Sequence, residues 1–176
     1  MPAPDIPPPS RLGDQEFIAR FGGVFEHSPW VAEGVLAGGH GRAAWDTAEG
    51  LHAAMAQVVR AAPHDRKLAL LRAHPDLAGR LALAGELTLA SSAEQASAGL
   101  DKCTAEEFAR FTELNDAYTA KFGFPFIMAV KGRSRAEILS SFEQRIHNSP
   151  EEEFATALAQ VERIALLRLR DLLPTA

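Results

Sequence analysis

Cysteine is almost missing from this chain. Cys103 is the only one in 176 residues, so an internal disulfide is impossible and so is a cysteine-built metal cluster. Long apolar runs are missing too; none approaches the ~18 residues expected of a membrane span. There is no basic stripe: 18 Lys and Arg are interspersed with 23 Asp and Glu for a net charge of −5. A surface of that kind does not neutralise a phosphate backbone, which argues against nucleic acid as a partner. The six histidines include no pair at the i, i+4 spacing of a metal site on one helix. The first residues lack the basic-then-apolar layout of a signal peptide. A reducing, cytoplasmic setting is the expectation.

What is present is helix. With 47% hydrophobic residues, the chain can bury most of its apolar surface in one domain. Ser91-x-x-Glu94, Thr104-x-x-Glu107, Ser134-x-x-Glu137 and Ser149-x-x-Glu152 all have capping-box spacing. Periodic apolar residues follow, such as Phe108, Phe111, Leu114 and Tyr118, then Ile138, Phe142 and Ile146. Upstream, residues 16–25, 31–36, 45–61 and 66–73 read as helices separated by Gly22-Gly23, Gly38-Gly39 and Pro63. Only residues 126–130 look extended. No internal repeat is visible. The expectation is a single compact all-α domain of roughly seven to nine helices over residues 11–176. Residues 1–10, five of them proline, read as a disordered arm.

Several residues exceed what a generic helical core requires. Pro75 disfavours the α region for His74, so a helix must end there with His74 near its carbonyl end. That end favours imidazolium, which suits a proton donor, although His74 taken alone is read better as a helix-stop histidine that only caps carbonyls. Ser91 and Glu94 are explained either by a capping box or by a site, and Gln95 beside them has no capping duty. Arg168 falls within the apolar stripe of the last helix, while Arg163 and Arg170 fall opposite. A buried arginine needs an anionic partner, either a structural carboxylate or a substrate. The run Phe126, Ile127, Met128, Ala129 and Val130 reads as a buried segment that can also offer backbone groups to a flat polar ring.

Together these stretches resemble the 2-oxo-4-hydroxy-4-carboxy-5-ureidoimidazoline (OHCU) decarboxylases, which form (S)-allantoin in urate breakdown. The resemblance runs through Phe25-Glu26-His27-Ser28-Pro29-Trp30, His74-Pro75-Asp76-Leu77, Ser91-x-x-Glu94-Gln95, residues 122–130 and Arg168-Leu169. It implies an all-helical fold, often a homodimer, working without cofactor or metal. It carries His74 over as catalytic proton donor, assisted by Glu94. Ser91, Glu94, Gln95 and Arg168 become substrate contacts, and Pro75 with Phe126, Ile127, Met128, Ala129 and Val130 the pocket wall and backbone contacts. A non-enzymatic helical binding module is the alternative, in which His74 and Glu94 are only caps.

Overall fold

Turn chemistry sets the helix boundaries in the computed structural model, which describes residues 7–39, 41–79 and 85–173. Eight α-helices and no strand occur among the described residues. They are α1 (Asp14–Phe21), α2 (Trp30–Gly38), α3 (Ala48–Ala61), α4 (His64–Arg72), α5 (Leu89–Ser97), α6 (Ala105–Phe122), α7 (Arg135–Arg145) and α8 (Pro150–Leu172). The all-α expectation and the expected helix number are both met. None of these helices is long and apolar enough to cross a membrane.

The capping boxes at Thr104 and Ser134 form as their spacing predicts, with side chain and backbone exchanging hydrogen bonds reciprocally. The pair Ser149 and Glu152 does the same. The box expected at Ser91 does not form. The cap is Thr88, whose hydroxyl accepts from the Ser91 N–H at 3.2 Å, so α5 begins at Leu89 and Ser91 lies inside it. Ser91 therefore has no backbone donor left for a returning Glu94.

The described residues fall into two compact units, one comprising the chain to Leu70 with Ile164 onward, the other Leu71–Arg163. In the first, Phe17 packs against Phe21 and Trp45 at centroid distances of 5.1 and 5.5 Å. Residues 45–61, expected as one helix, divide into a 3-10 turn (Arg42–Asp46) and α3, because the Thr47 hydroxyl caps the Gly50 N–H. Gly50 is required there: a Cβ would stand 1.7 Å from the Ala44 carbonyl oxygen. Residues 1–6 of the expected arm lie outside the described residues. The stretch from Pro9 to Arg11 instead forms a 3-10 turn, held because Ser10 donates from its N–H and hydroxyl to Asp46 at 2.8 and 2.7 Å. Pro9 and Ser10, placed in the arm by the sequence, thus belong to a hydrogen-bonded turn.

The second unit is built around Tyr118 on α6. Its ring meets Phe124, Phe126 and Phe142 edge-on at 5.9, 5.5 and 5.7 Å. Phe126 also stacks on Phe142 at 3.9 Å. Full burial of such side chains contributes roughly 1.5–3 kcal/mol each. After Gly123 ends α6, residues 125–130 are neither helical nor strand-paired, and they are buried apart from Met128.

Candidate active site

The site begins where α4 is forced to stop. Pro75 excludes helical geometry at His74, whose N–H still closes a last turn on the Leu71 carbonyl at 3.2 Å. The His74 side chain is buried, at 9% exposure. Beyond it the chain bends through Ala78, a non-glycine residue in the left-handed region at φ 50°. The bend is tight enough that a Cβ on Gly79 would lie 2.6 Å from that of Asp76.

Side-chain amides hold this bend in place. Gln95 on α5 donates from Nε2 to the Asp76 carbonyl at 3.2 Å and accepts at Oε1 from the Ala78 N–H at 3.0 Å. Asn115 on α6 donates from Nδ2 to the Leu77 carbonyl at 2.9 Å. Gln95 is thus structurally engaged, yet an amide has two donor hydrogens and two acceptor lone pairs, so a substrate contact remains compatible. Ser91, Glu94 and Gln95 share one face of α5 at i, i+3 and i+4; Ser91 and Gln95 are buried and Glu94 half-buried. The structure therefore joins Gln95's helix to the turn that carries His74 and Pro75.

The aromatic segment is tied to the same unit. Arg72, two residues before His74, donates from Nε to the Gly123 carbonyl at 2.8 Å. Arg145 on α7 donates from Nη1 to the Ile127 carbonyl at 2.7 Å, and its guanidinium lies 4.3 Å from the Phe126 ring centroid. Gln160 on α8 accepts the Ala129 N–H at 3.0 Å. Arg145 is in turn fixed by fully buried Glu153, which accepts from its Nε at 2.8 Å, from Asn148 at 3.0 Å and from the Tyr118 hydroxyl at 2.5 Å. Burial, then the hydrogen bond to Glu153, pushes the Tyr118 phenol well above its ordinary range. Sequence reasoning missed Asn115, Arg145, Glu153 and Gln160. The legible signal was Glu153, a carboxylate four residues before Ala157 on the buried line of α8.

Arg168 belongs to the other unit. Its Nη1 donates to Glu26 at 2.8 Å and to the Val24 carbonyl at 3.2 Å, and both side chains are buried. The anionic partner that its burial demands is thus a structural carboxylate. Arg163 and Arg170 are exposed as expected, and Leu172, four residues after Arg168, is 45% exposed. The buried line of α8 runs through Glu153, Ala157, Val161, Ala165, Arg168 and Leu169. No cluster of three potential metal ligands occurs among the described residues.

Comparison with known proteins agrees with the reading. A family model described as OHCU decarboxylase matches residues 10–170. The 2-oxo-4-hydroxy-4-carboxy-5-ureidoimidazoline decarboxylase of Haloferax volcanii is 43% identical over 162 residues, 92% of each chain. A crystal structure of (S)-allantoin synthase matches with a TM-score of 0.76 at 34% identity, over 94% of this chain and 52% of that one. This chain therefore spans about half of that protein. A crystal structure of OHCU decarboxylase in the presence of (S)-allantoin covers 92% of this chain and 98% of its own, with a TM-score of 0.66. At 22% identity that is a likeness of fold. With the family pattern spanning nearly all of its length, this chain belongs to the OHCU decarboxylase family.

Proposed function

We propose that this protein decarboxylates OHCU to (S)-allantoin in urate breakdown, with His74 delivering the proton that sets the product's configuration. The observation that carries the reading is that the family match over residues 10–170 includes a buried histidine on a turn clamped by Gln95.

The substrate's name defines the chemistry. One ring carbon bears a hydroxyl and a carboxylate, and its neighbour bears the ureido group and a C=N bond. The carbon–carboxylate bond breaks, CO2 leaves, and the electron pair forms an enol between the two ring carbons. The former C=N pair moves to nitrogen, which takes a proton. Protonation of the ureido-bearing carbon and loss of the hydroxyl proton then give the ketone. One proton is consumed overall for each CO2 released. The ring is its own electron sink, so this route needs neither metal nor organic cofactor.

The remaining requirement is an acid on one face of the ring, and a positioned acid–base group contributes typically ~10²–10⁴-fold. His74 takes that role, with Glu94 orienting it or accepting the hydroxyl proton. Ser91 and Gln95 contact the polar substituents; Pro75 and Phe126 shape the wall, while the backbone of Ile127, Met128, Ala129 and Val130 faces the ring. Arg168 is retained as a substrate-binding arginine on the family resemblance alone. A tight ion pair from an arginine to the departing carboxylate would stabilise the ground state, so ring or ureido oxygens suit it better. A homodimer and a cytoplasmic setting complete the reading; light scattering would test the former.

The deciding experiment is circular dichroism of freshly oxidised urate with and without the protein. Spontaneous decay gives racemic allantoin, so growth of an optical signal only with the protein supports the assignment. A racemic product at the uncatalysed rate overturns it.

A further inference from the structure

The Leu77–Ala78 peptide is gripped at both edges, its carbonyl by Asn115 Nδ2 at 2.9 Å and its N–H by Gln95 Oε1 at 3.0 Å. This is the peptide whose rotation would release Ala78 from its left-handed conformation. Asn115 is 4% exposed, and its own Oδ1 meets no donor among the described residues. A buried acceptor left unmatched is unfavourable, so packing alone would favour an apolar residue here. What Asn115 provides is the donor to Leu77. Only Pro75 and Asp76 separate His74 from Leu77; the Pro75 ring fixes its φ, and Gln95 Nε2 holds the Asp76 carbonyl at 3.2 Å, so few free rotations lie between this peptide and His74. A relaxed bend is therefore transmitted to the backbone of His74.

We propose that Asn115 is a positioning residue for the reaction: paired with Gln95, it locks the strained turn that aims the His74 imidazole. This rests on the reading of His74 as the proton donor. Asn115 touches no reacting atom and acts only through the Leu77 carbonyl.

The test is steady-state kinetics of Asn115→Ala, Ala78→Gly and the double variant, with wild type assayed alongside. Asn115→Ala should lower kcat by on the order of ten- to a hundredfold with KM within about twofold, because a small misplacement of a reacting group costs rate. Glycine accepts the left-handed φ without strain, so Ala78→Gly should restore much of the kcat lost in Asn115→Ala. Alone, Ala78→Gly should leave activity within about twofold of wild type, since it removes no contact to His74. The inference is overturned if Asn115→Ala keeps wild-type kcat, if the loss lies in KM, or if Ala78→Gly restores nothing. If Asn115→Ala fails to fold, Asn115→Asp replaces it under the same criteria, keeping the volume but setting an acceptor against the Leu77 carbonyl. Wild type that forms no optically active allantoin defeats the proposed function instead, so the two failures are distinguishable.

Discussion

Arg168 and Glu26, 142 positions apart, form a buried ion pair at 2.8 Å, with side-chain exposures of 8% and 1%. Removing one partner leaves the other charged and desolvated, which costs about 3–5 kcal/mol. Arg168→Leu should therefore lower unfolding free energy by that order in urea titrations, whatever its part in catalysis. Adding Glu26→Gln should recover most of the stability by removing the stranded charge. If Arg168 also binds substrate, KM stays raised in the stabilised double variant. A return of KM to the wild-type value would reduce Arg168 to a structural residue.

The backbone bond that ends the His74 turn, N–H to the Leu71 carbonyl, survives replacement of the side chain. His74→Asn should remain helical by far-ultraviolet circular dichroism. Formation of optically active allantoin should fall at least ~10²-fold, the lower end for loss of a positioned acid. Persistence of that signal at the wild-type rate would remove His74 from the proton-transfer step.

The helices were legible because their signals are local. Ser134 and Glu137, or Thr104 and Glu107, find each other within one turn, so spacing alone predicts the bond that forms. Ser91 misled because Thr88 offers the same hydroxyl three residues earlier, and the chain caps there. The histidine turn could be located from Pro75, but what holds it could not. Asn115 meets Leu77 from 38 positions away, and Arg145 meets Ile127 from 18 positions away. Such contacts are set by packing, which carries no sequence periodicity. Arg168 lies between: its need for an anion could be read from the stripe, while the identity of Glu26 could not.

Thr88 and Ser91 give a local test of that correction. Thr88 supplies the oxygen that accepts the Ser91 N–H, so Thr88→Ala should destabilise the protein by about 1 kcal/mol through lost capping. Ser91→Ala leaves that bond intact, because only its backbone takes part. Its effect should fall on substrate binding rather than on the cap. Thermal unfolding and KM measured on both variants separate these outcomes. Equal loss of stability in the two would restore Ser91 as the cap.

Tyr118 is the only tyrosine in the chain, so its ionisation can be followed without interference from another phenol. Burial and the hydrogen bond to Glu153 raise its folded-state pKa above the ordinary value of 10.0. Below pH 10.0 both the folded and the unfolded protein hold the phenolic proton, and the stabilisation is fully present. As pH rises past that value the unfolded chain loses its proton first, so stability declines toward the raised folded pKa. An alkaline titration should then show tyrosinate absorbance only together with loss of helical signal. Tyr118→Phe removes this alkaline dependence. At neutral pH it should cost about 1.5–3 kcal/mol, the range for a hydrogen bond to a charged group. Tyrosinate formation near pH 10.0 in a fully helical protein would mean that the hydroxyl is not held by Glu153.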